Sequence, residues 1–451
     1  MMLTISRPNF LALLMLLIGS QAFSQKEMNL DECIQIALDR NIGLERQSLQ
    51  VDLATDILQT SRAARLPAVE GFFSHNLSSG KTVNYEDYSY INTKYQDGNI
   101  GIQGTVPVFT GFGNLYLTKS ARFSVQSEKE KQAELKKAMT IEVTTAYLQI
   151  LYTEELLGVA EAKLQSSQEQ LRMNEGFFDA GRMSKVEVLT LKSQVAQDKL
   201  SKIQAENDIR TAYLTLAQLL NLENGNDFKI KKPTNLDGSF SFVVSDPFKI
   251  YEYALANHPG IASAGLLVKS REAELAAMRA RISPSINLNG IVYSRYSELG
   301  VNQLNPTAAY PYTEQLKDNM YGRASVNVTI PIFSQFQTRS RINQAAIQSR
   351  DAKLMLDQKK LTIRQDIQVA YSAALNARAK FEATAEAIAS ARESFNLTQE
   401  KYKSGLSSSV EFKVAQGQLV QAQLTQIQSK YEFLIRSKIL DLYLDKPISL
   451  E

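Results

Sequence analysis

The sequence predicts a mostly α-helical protein with a membrane β-barrel portion. Long antiparallel coiled-coil helices alternate with four transmembrane strands, in two copies of one unit, and several chains are needed to close the barrel. Three observations predict it. First, the chain repeats itself: Pro67-Ala68-Val69 returns as Pro284-Ser285-Ile286, Val106-Pro107-Val108-Phe109 as Ile330-Pro331-Ile332-Phe333, and Ala146-Tyr147 as Ala370-Tyr371. The first pair is offset by 217 residues and the later ones by 224, so two copies differ by one short insertion. Such register over most of a chain marks an internal structural repeat. Second, no proline occurs between Pro107 and Pro233 or between Pro331 and Pro447, and these tracts are rich in Ala, Gln, Leu, Lys and Glu. Those residues are strong helix formers. Third, short segments beside the matched prolines alternate apolar and polar residues with period two.

In chain order, residues 1–24 read as a secretory signal peptide. Arg7 precedes the apolar run Phe10 to Ile18, and Ala22-Phe23-Ser24 offers a small-residue cleavage site before Gln25. The run is too short to span a bilayer, which takes about 20 residues. The first copy occupies 25–232, with strands near 68–80 and 98–109 and long helices near 113–177 and 184–222. A linker at 233–249 leads to the second copy at 250–446. Its strands lie near 285–296 and 320–333 and its helices near 335–403 and 408–444; 447–451 is a tail. Each helical tract breaks once, at Gly181 and Gly405. The first arm, 114–175, would be roughly 90 Å long at the α-helical rise. Val420, Leu424, Ile427, Tyr431 and Leu434 recur at spacings of four and three, a coiled-coil seam.

The strands sort their residues by face. Ile100, Ile102, Val106 and Val108 oppose Asn99, Gln103 and Thr105; Ala324, Val326 and Val328 oppose Arg323, Ser325 and Asn327. Ile286, Leu288 and Val292 do the same against Ser285, Asn287 and Asn289, and Val69, Phe73 and Leu77 more weakly, with His75 interrupting. An ordinary half-buried sheet would alternate too. Strand lengths that match the 9–11 residues of a membrane strand favour the barrel, as do the polar, tyrosine-rich loops 78–98 and 297–319. Four strands cannot close alone, and open edges are not tolerated in lipid, so the strands imply an oligomer.

The composition excludes several classes. One cysteine forbids an intrachain disulfide, and the two histidines, His75 and His258, share no metal-ligand spacing. No phosphate loop, nucleophile elbow or catalytic carboxylate cluster is present, so no enzyme, metal or cofactor is expected. A net charge of +3 argues against nucleic acid. The residues alone leave a second reading open, a secreted or periplasmic coiled-coil scaffold or adaptor with a small sheet.

The order and register of these pieces resemble the TolC family of outer-membrane channels. The two proline-centred tetrapeptides look like its strand-to-helix junctions. Phe178-x-x-Gly181-x-x-Ser184-x-Val186-Glu187 and Tyr402-x-x-Gly405-x-x-Ser408-x-Val410-Glu411 look like its helix-turn-helix tips. The resemblance implies a homotrimer in the outer membrane of a Gram-negative bacterium, with a periplasmic helical tunnel. Such a channel gives passive exit to substrates of an inner-membrane pump or type I secretion system through a periplasmic adaptor.

The resemblance also implies site residues. Tyr402 matches a gate tyrosine, Glu187 its acidic partner, and Glu411 one acidic ring of the constriction. Ala180, Gly181 and Arg182, with Ser404, Gly405 and Leu406, match the adaptor-docking turns. Two departures stand out: Ser407 occupies an expected arginine position and Val414 an expected acidic one. Independently of any gate, Ser184-x-x-Glu187 and Ser408-x-x-Glu411 have the spacing of capping boxes, with Ser184 and Ser408 as N-caps.

Overall fold

The computed structural model describes residues 26–84, 88–223, 228–233, 246–302, 304–305 and 308–448; the segment 1–24, expected to be a signal peptide, lies outside them. In chain order the elements are β1 (Lys26–Met28), α1 (Leu30–Arg40), α2 (Ile42–Ala63), β2 (Ala68–Val83), β3 (Tyr90–Phe109), α3 (Gly113–Asp179), α4 (Lys185–Leu219) and β4 (Phe228–Ile230). Then follow α5 (Pro247–Asn257), α6 (Pro259–Ala280), β5 (Ser285–Ser297), α7 (Tyr312–Asp318), β6 (Tyr321–Thr329), α8 (Gln337–Lys403) and α9 (Ser409–Tyr443). The duplication is visible element by element: helix pair, strand, strand, long helix, long helix. In each copy the long helices hold 67 and 35 residues. None of the described helices is long and apolar enough to cross a membrane.

The chain forms two units. One comprises residues up to 45, 134–256 and 362 onward; the other comprises 46–133 and 257–361. In the first, α1, α3, α4 and α9 pack around a core that includes Leu30, Cys33, Val143, Tyr147, Leu148, Leu216, Tyr431 and Leu434. The short parallel pair β1–β4 ties the start of the first copy to its end, Lys26 opposite Phe228. Burial pushes the Cys33 thiol up to about 12, so this cysteine behaves as a small core hydrophobe.

In the second unit, β2, β3, β5 and β6 form one antiparallel sheet in that order. The register places Ile102 opposite Val292 and Gly71, with Gly322 beyond, so residues of one parity share a face. Val69, Phe73, Ile102, Val292, Val326 and Val328 all lie on that face and are exposed, Val328 at 57%. The other face carries Glu70, Gln103, Thr105, Asn289 and Arg323, with Thr105 donating to Asn289 at 2.9 Å. Helix α3 meets α6 through paired serines, Ser127 with Ser263 and Ser120 with Ser270, a small-residue contact that permits close approach.

Several boundaries differ from those the sequence suggests. Strands β2 and β3 continue through the segment read as a loop at 78–98, pairing as far as Val83 with Tyr90. There most side chains are polar, and the apolar Val83 and Ile91 fall on opposite faces, so the alternation that reveals the lower strand is absent. Strand β6 stops at Thr329 rather than 333, because its one partner, β5, begins at Ser285, the residue opposite Thr329. Helix α5 starts at Pro247, inside the stretch read as a linker, of which 234–245 lie outside the described residues. The helix pairs α1–α2 and α5–α6 add to the long helices that the proline-free tracts mark. Each pair is divided at the same point of the repeat, where Asn41 accepts from the Leu44 amide at 3.0 Å and His258 from the Gly260 amide at 3.1 Å.

Candidate functional site

The candidate site lies at the two turns that join long helices, α3 to α4 and α8 to α9. Each outgoing helix ends in a left-handed glycine, Gly181 at φ 72° and Gly405 at φ 74°. The Gly181 amide donates to the Phe178 carbonyl at 2.9 Å and the Arg182 amide to Phe177 at 2.8 Å. In the second copy Gly405 donates to Tyr402 at 3.0 Å and Leu406 to Lys401 at 2.8 Å. These are Schellman stops, which satisfy the last carbonyls of a helix. No other atom crowds either glycine, so the backbone conformation alone demands it.

Each returning helix begins with a complete capping box. The Glu187 amide donates to Ser184 Oγ at 3.3 Å while Glu187 Oε2 accepts from the Ser184 amide at 3.2 Å. Glu411 and Ser408 make the same reciprocal pair at 3.2 and 3.0 Å. The copies then diverge. Ser407 Oγ donates to Glu411 Oε2 at 2.5 Å, a bond that Met183 cannot make in the first copy. The Ser407 hydroxyl, followed by the Ser408 amide, holds the Glu411 carboxyl below the usual glutamate range.

A folded-state value lowered in this way stabilises the helix start fully above the unfolded value of about 4.3. The contribution disappears as pH falls through the folded value. Hydrogen-exchange protection of the Glu411 amide, corrected for intrinsic rate, should therefore hold at neutral pH and fail in acid. Ser407→Ala should move that failure to higher pH; an unmoved midpoint would count against the serine as cause.

Within one chain, Tyr402 and Glu187 take different hydrogen-bond partners. Tyr402 is 5% exposed, and its hydroxyl donates to Asn174 Oδ1 on α3 at 2.7 Å. Its ring lies 5.3 Å from Phe412, which lies 5.3 Å from Phe395. The repeat-equivalent of Tyr402 is Phe178, which is 40% exposed and has no hydroxyl. Arg182 sits over the Phe177 ring at 5.8 Å, on its own helix end. Leu406, Val410 and Val186 project exposed apolar groups around the two turns. No motif in the sequence marks Asn174, Phe395 or Phe412, although Asn174 stands seven residues before Gly181.

The family profile described as outer membrane efflux protein matches residues 33–222 and again 250–444. The chain belongs to the TolC family of outer membrane efflux proteins. Its relatives include the outer membrane efflux protein BepC of Brucella suis, 23% identical over 402 residues, 89% of this chain and 82% of BepC. The solvent efflux pump outer membrane protein SrpC of Pseudomonas putida is 23% identical over 417 residues, 90% of this chain and 84% of SrpC. Among solved structures, CusC superposes with a TM-score of 0.79 at 17% identity, covering 94% of this chain and 93% of CusC. VceC of Vibrio cholerae gives 0.77 at 14% identity, covering 92% and 94%. At these identities the superpositions show the fold, and the two profile matches fall on the two copies. This TolC-family member is an efflux channel of the outer membrane, a transporter and not an enzyme, and it works with an efflux pump.

Proposed function

We propose that three copies of this chain close their sheets into one twelve-stranded barrel in the outer membrane, whose long helices form a periplasmic tunnel. The channel gives passive exit to cargo delivered by an inner-membrane pump through a periplasmic adaptor. One observation carries the reading: a four-stranded sheet with β2 and β6 as its edges exposes a continuous apolar face. Such a sheet is stable in lipid only if both edges find strands. Mass measurement in mild detergent should give a trimer that resists carbonate extraction from membranes. A folded, stable monomer, or release by carbonate, would overturn the reading.

The tips then serve as gate and dock. Tyr402 closes the gate, Glu187 and Glu411 cap the returning helices and present carboxylates to the constriction, and the turns 180–182 and 404–406 meet the adaptor. The exposed Leu406, Val410 and Val186 supply apolar area for that contact. Leu406→Asp should weaken adaptor binding and efflux while leaving the trimer intact. Unchanged adaptor pull-down would remove Leu406 from the dock.

A further inference from the structure

We infer that Asn174 is the positioning residue of the gate, and that the closed tip is held by a neutral hydrogen bond between the two copies of the repeat. The inference rests on the gated-channel reading above and goes beyond it by naming the acceptor and its chemistry. Tyr402 closes α8 of the second copy onto α3 of the first through Asn174 Oδ1 at 2.7 Å. The amide cannot turn away, because Asn174 Nδ2 donates to the Gln170 carbonyl at 2.6 Å on the preceding turn. That bond uses the nitrogen end and leaves the oxygen toward the hydroxyl.

Asn174 is 0% exposed and Phe412 packs beside Tyr402, so water does not compete for the pair. A buried hydroxyl and amide oxygen are tolerated only when each finds the other. Sliding α8 along α3 by one turn would strand both, so the bond fixes register as well as closure. A buried asparagine setting register in a coiled coil works by the same physics.

The repeat supplies only one such bond per chain. Phe178 stands where Tyr402 does, and Thr398 stands where Asn174 does. Glu187 is engaged elsewhere, since its Oε2 already accepts from the Ser184 amide and hydroxyl. Near the latch the seam is imperfectly satisfied: the Gln170 and Gln416 side-chain nitrogens are buried without a hydrogen-bond partner among the described residues. A bond between neutral groups is also not screened by salt, whereas one built on exposed charges weakens as the Debye length shrinks from about 10 Å at 0.1 M to about 3 Å at 1 M.

Single-channel recording on the purified full-length protein in planar bilayers tests this. Tyr402→Phe removes one oxygen and keeps the ring; Asn174→Leu removes the acceptor at similar volume. Each should raise the open fraction about tenfold, and the double variant should go no further than the larger single, because both break one bond. The parent's open fraction should not change between about 0.1 and about 1 M salt. Circular dichroism and detergent mass identify any variant that misfolds, and Tyr402→Phe with the parent's salt comparison then carries the test. Asn174→Leu gating like the parent, full additivity in the double variant, or salt-induced opening of the parent would each overturn the latch and leave the channel standing. A parent that conducts fully at rest would instead sink the gated-channel reading beneath it.

Discussion

Ile102→Arg should abolish recovery of assembled channel from the outer membrane, while Gln103→Arg, one residue away, should be nearly silent. Both positions lie on β3, a central strand, and differ only in the face they occupy. Ile102 lies in a row with Gly71, Val292 and Gly322, near the middle of the apolar band. A cation there costs about 2–4 kcal/mol if that band meets the bilayer midplane. In an assembly of three chains the penalty applies at every copy, on the order of 6–12 kcal/mol in all. That is comparable with the whole stability of an ordinary domain. Gln103 already lies against Glu70 on the polar face, so an arginine there keeps a carboxylate partner. The depth dependence gives a third arm. Val328 sits at the helix-proximal end of the same band, opposite Ile286, where a cation costs only about 0–1 kcal/mol. Trimer yield in washed membranes should therefore fall steeply for Ile102→Arg, slightly for Val328→Arg and negligibly for Gln103→Arg. Equal yields across the three would mean that this face does not meet lipid.

The parts legible in the sequence are those where one physical demand is repeated many times. Alternation of apolar and polar residues marks the lower strands, proline-free tracts mark the long helices, and the glycine-then-serine spacing marks both tips, because each pattern spans several turns or strand periods. The upper ladder from Ser78 to Gly98 was hidden because both of its faces carry polar groups, and backbone pairing leaves no mark in side-chain polarity. The tip partner was hidden for a related reason. Ser167, Gln170 and Asn174 occupy a buried seam of α3 at helical spacing, but they are polar. A search for apolar periodicity reads such a stripe as a solvated face. The acidic partner expected from the resemblance, Glu187, falls at the position that any helix start would reserve for a capping carboxylate, so sequence alone could not separate the two roles.

That polar seam gives the second large effect. Lys163→Met should destabilise the α3–α4 hairpin by about 3–5 kcal/mol, the usual result of stripping the partner from a buried charge. Asp198 on α4 is 1% exposed, and its carboxylate meets Lys163 Nζ at 2.9 Å, Gln194 Nε2 at 3.0 Å and the Ser167 hydroxyl. Without the ammonium, two neutral donors must hold a carboxylate that water hardly reaches. Because the Lys163 side chain is 30% exposed, solvent already screens part of the attraction, and the lower end of the range, about 3 kcal/mol, is the better expectation. The second copy shows what the fold does without this cluster: alanines occupy positions 387, 391 and 422, the equivalents of Lys163, Ser167 and Asp198. The double variant Lys163→Met, Asp198→Leu should accordingly recover most of the loss, since a buried pair replaced by well-packed apolar groups is often neutral or better. Denaturant unfolding of the detergent-solubilised protein, followed by protease sensitivity of the α3–α4 tip, measures both. If the double variant is as unstable as the single one, the loss comes from packing of the lysine stem and the buried charge has no special part in it.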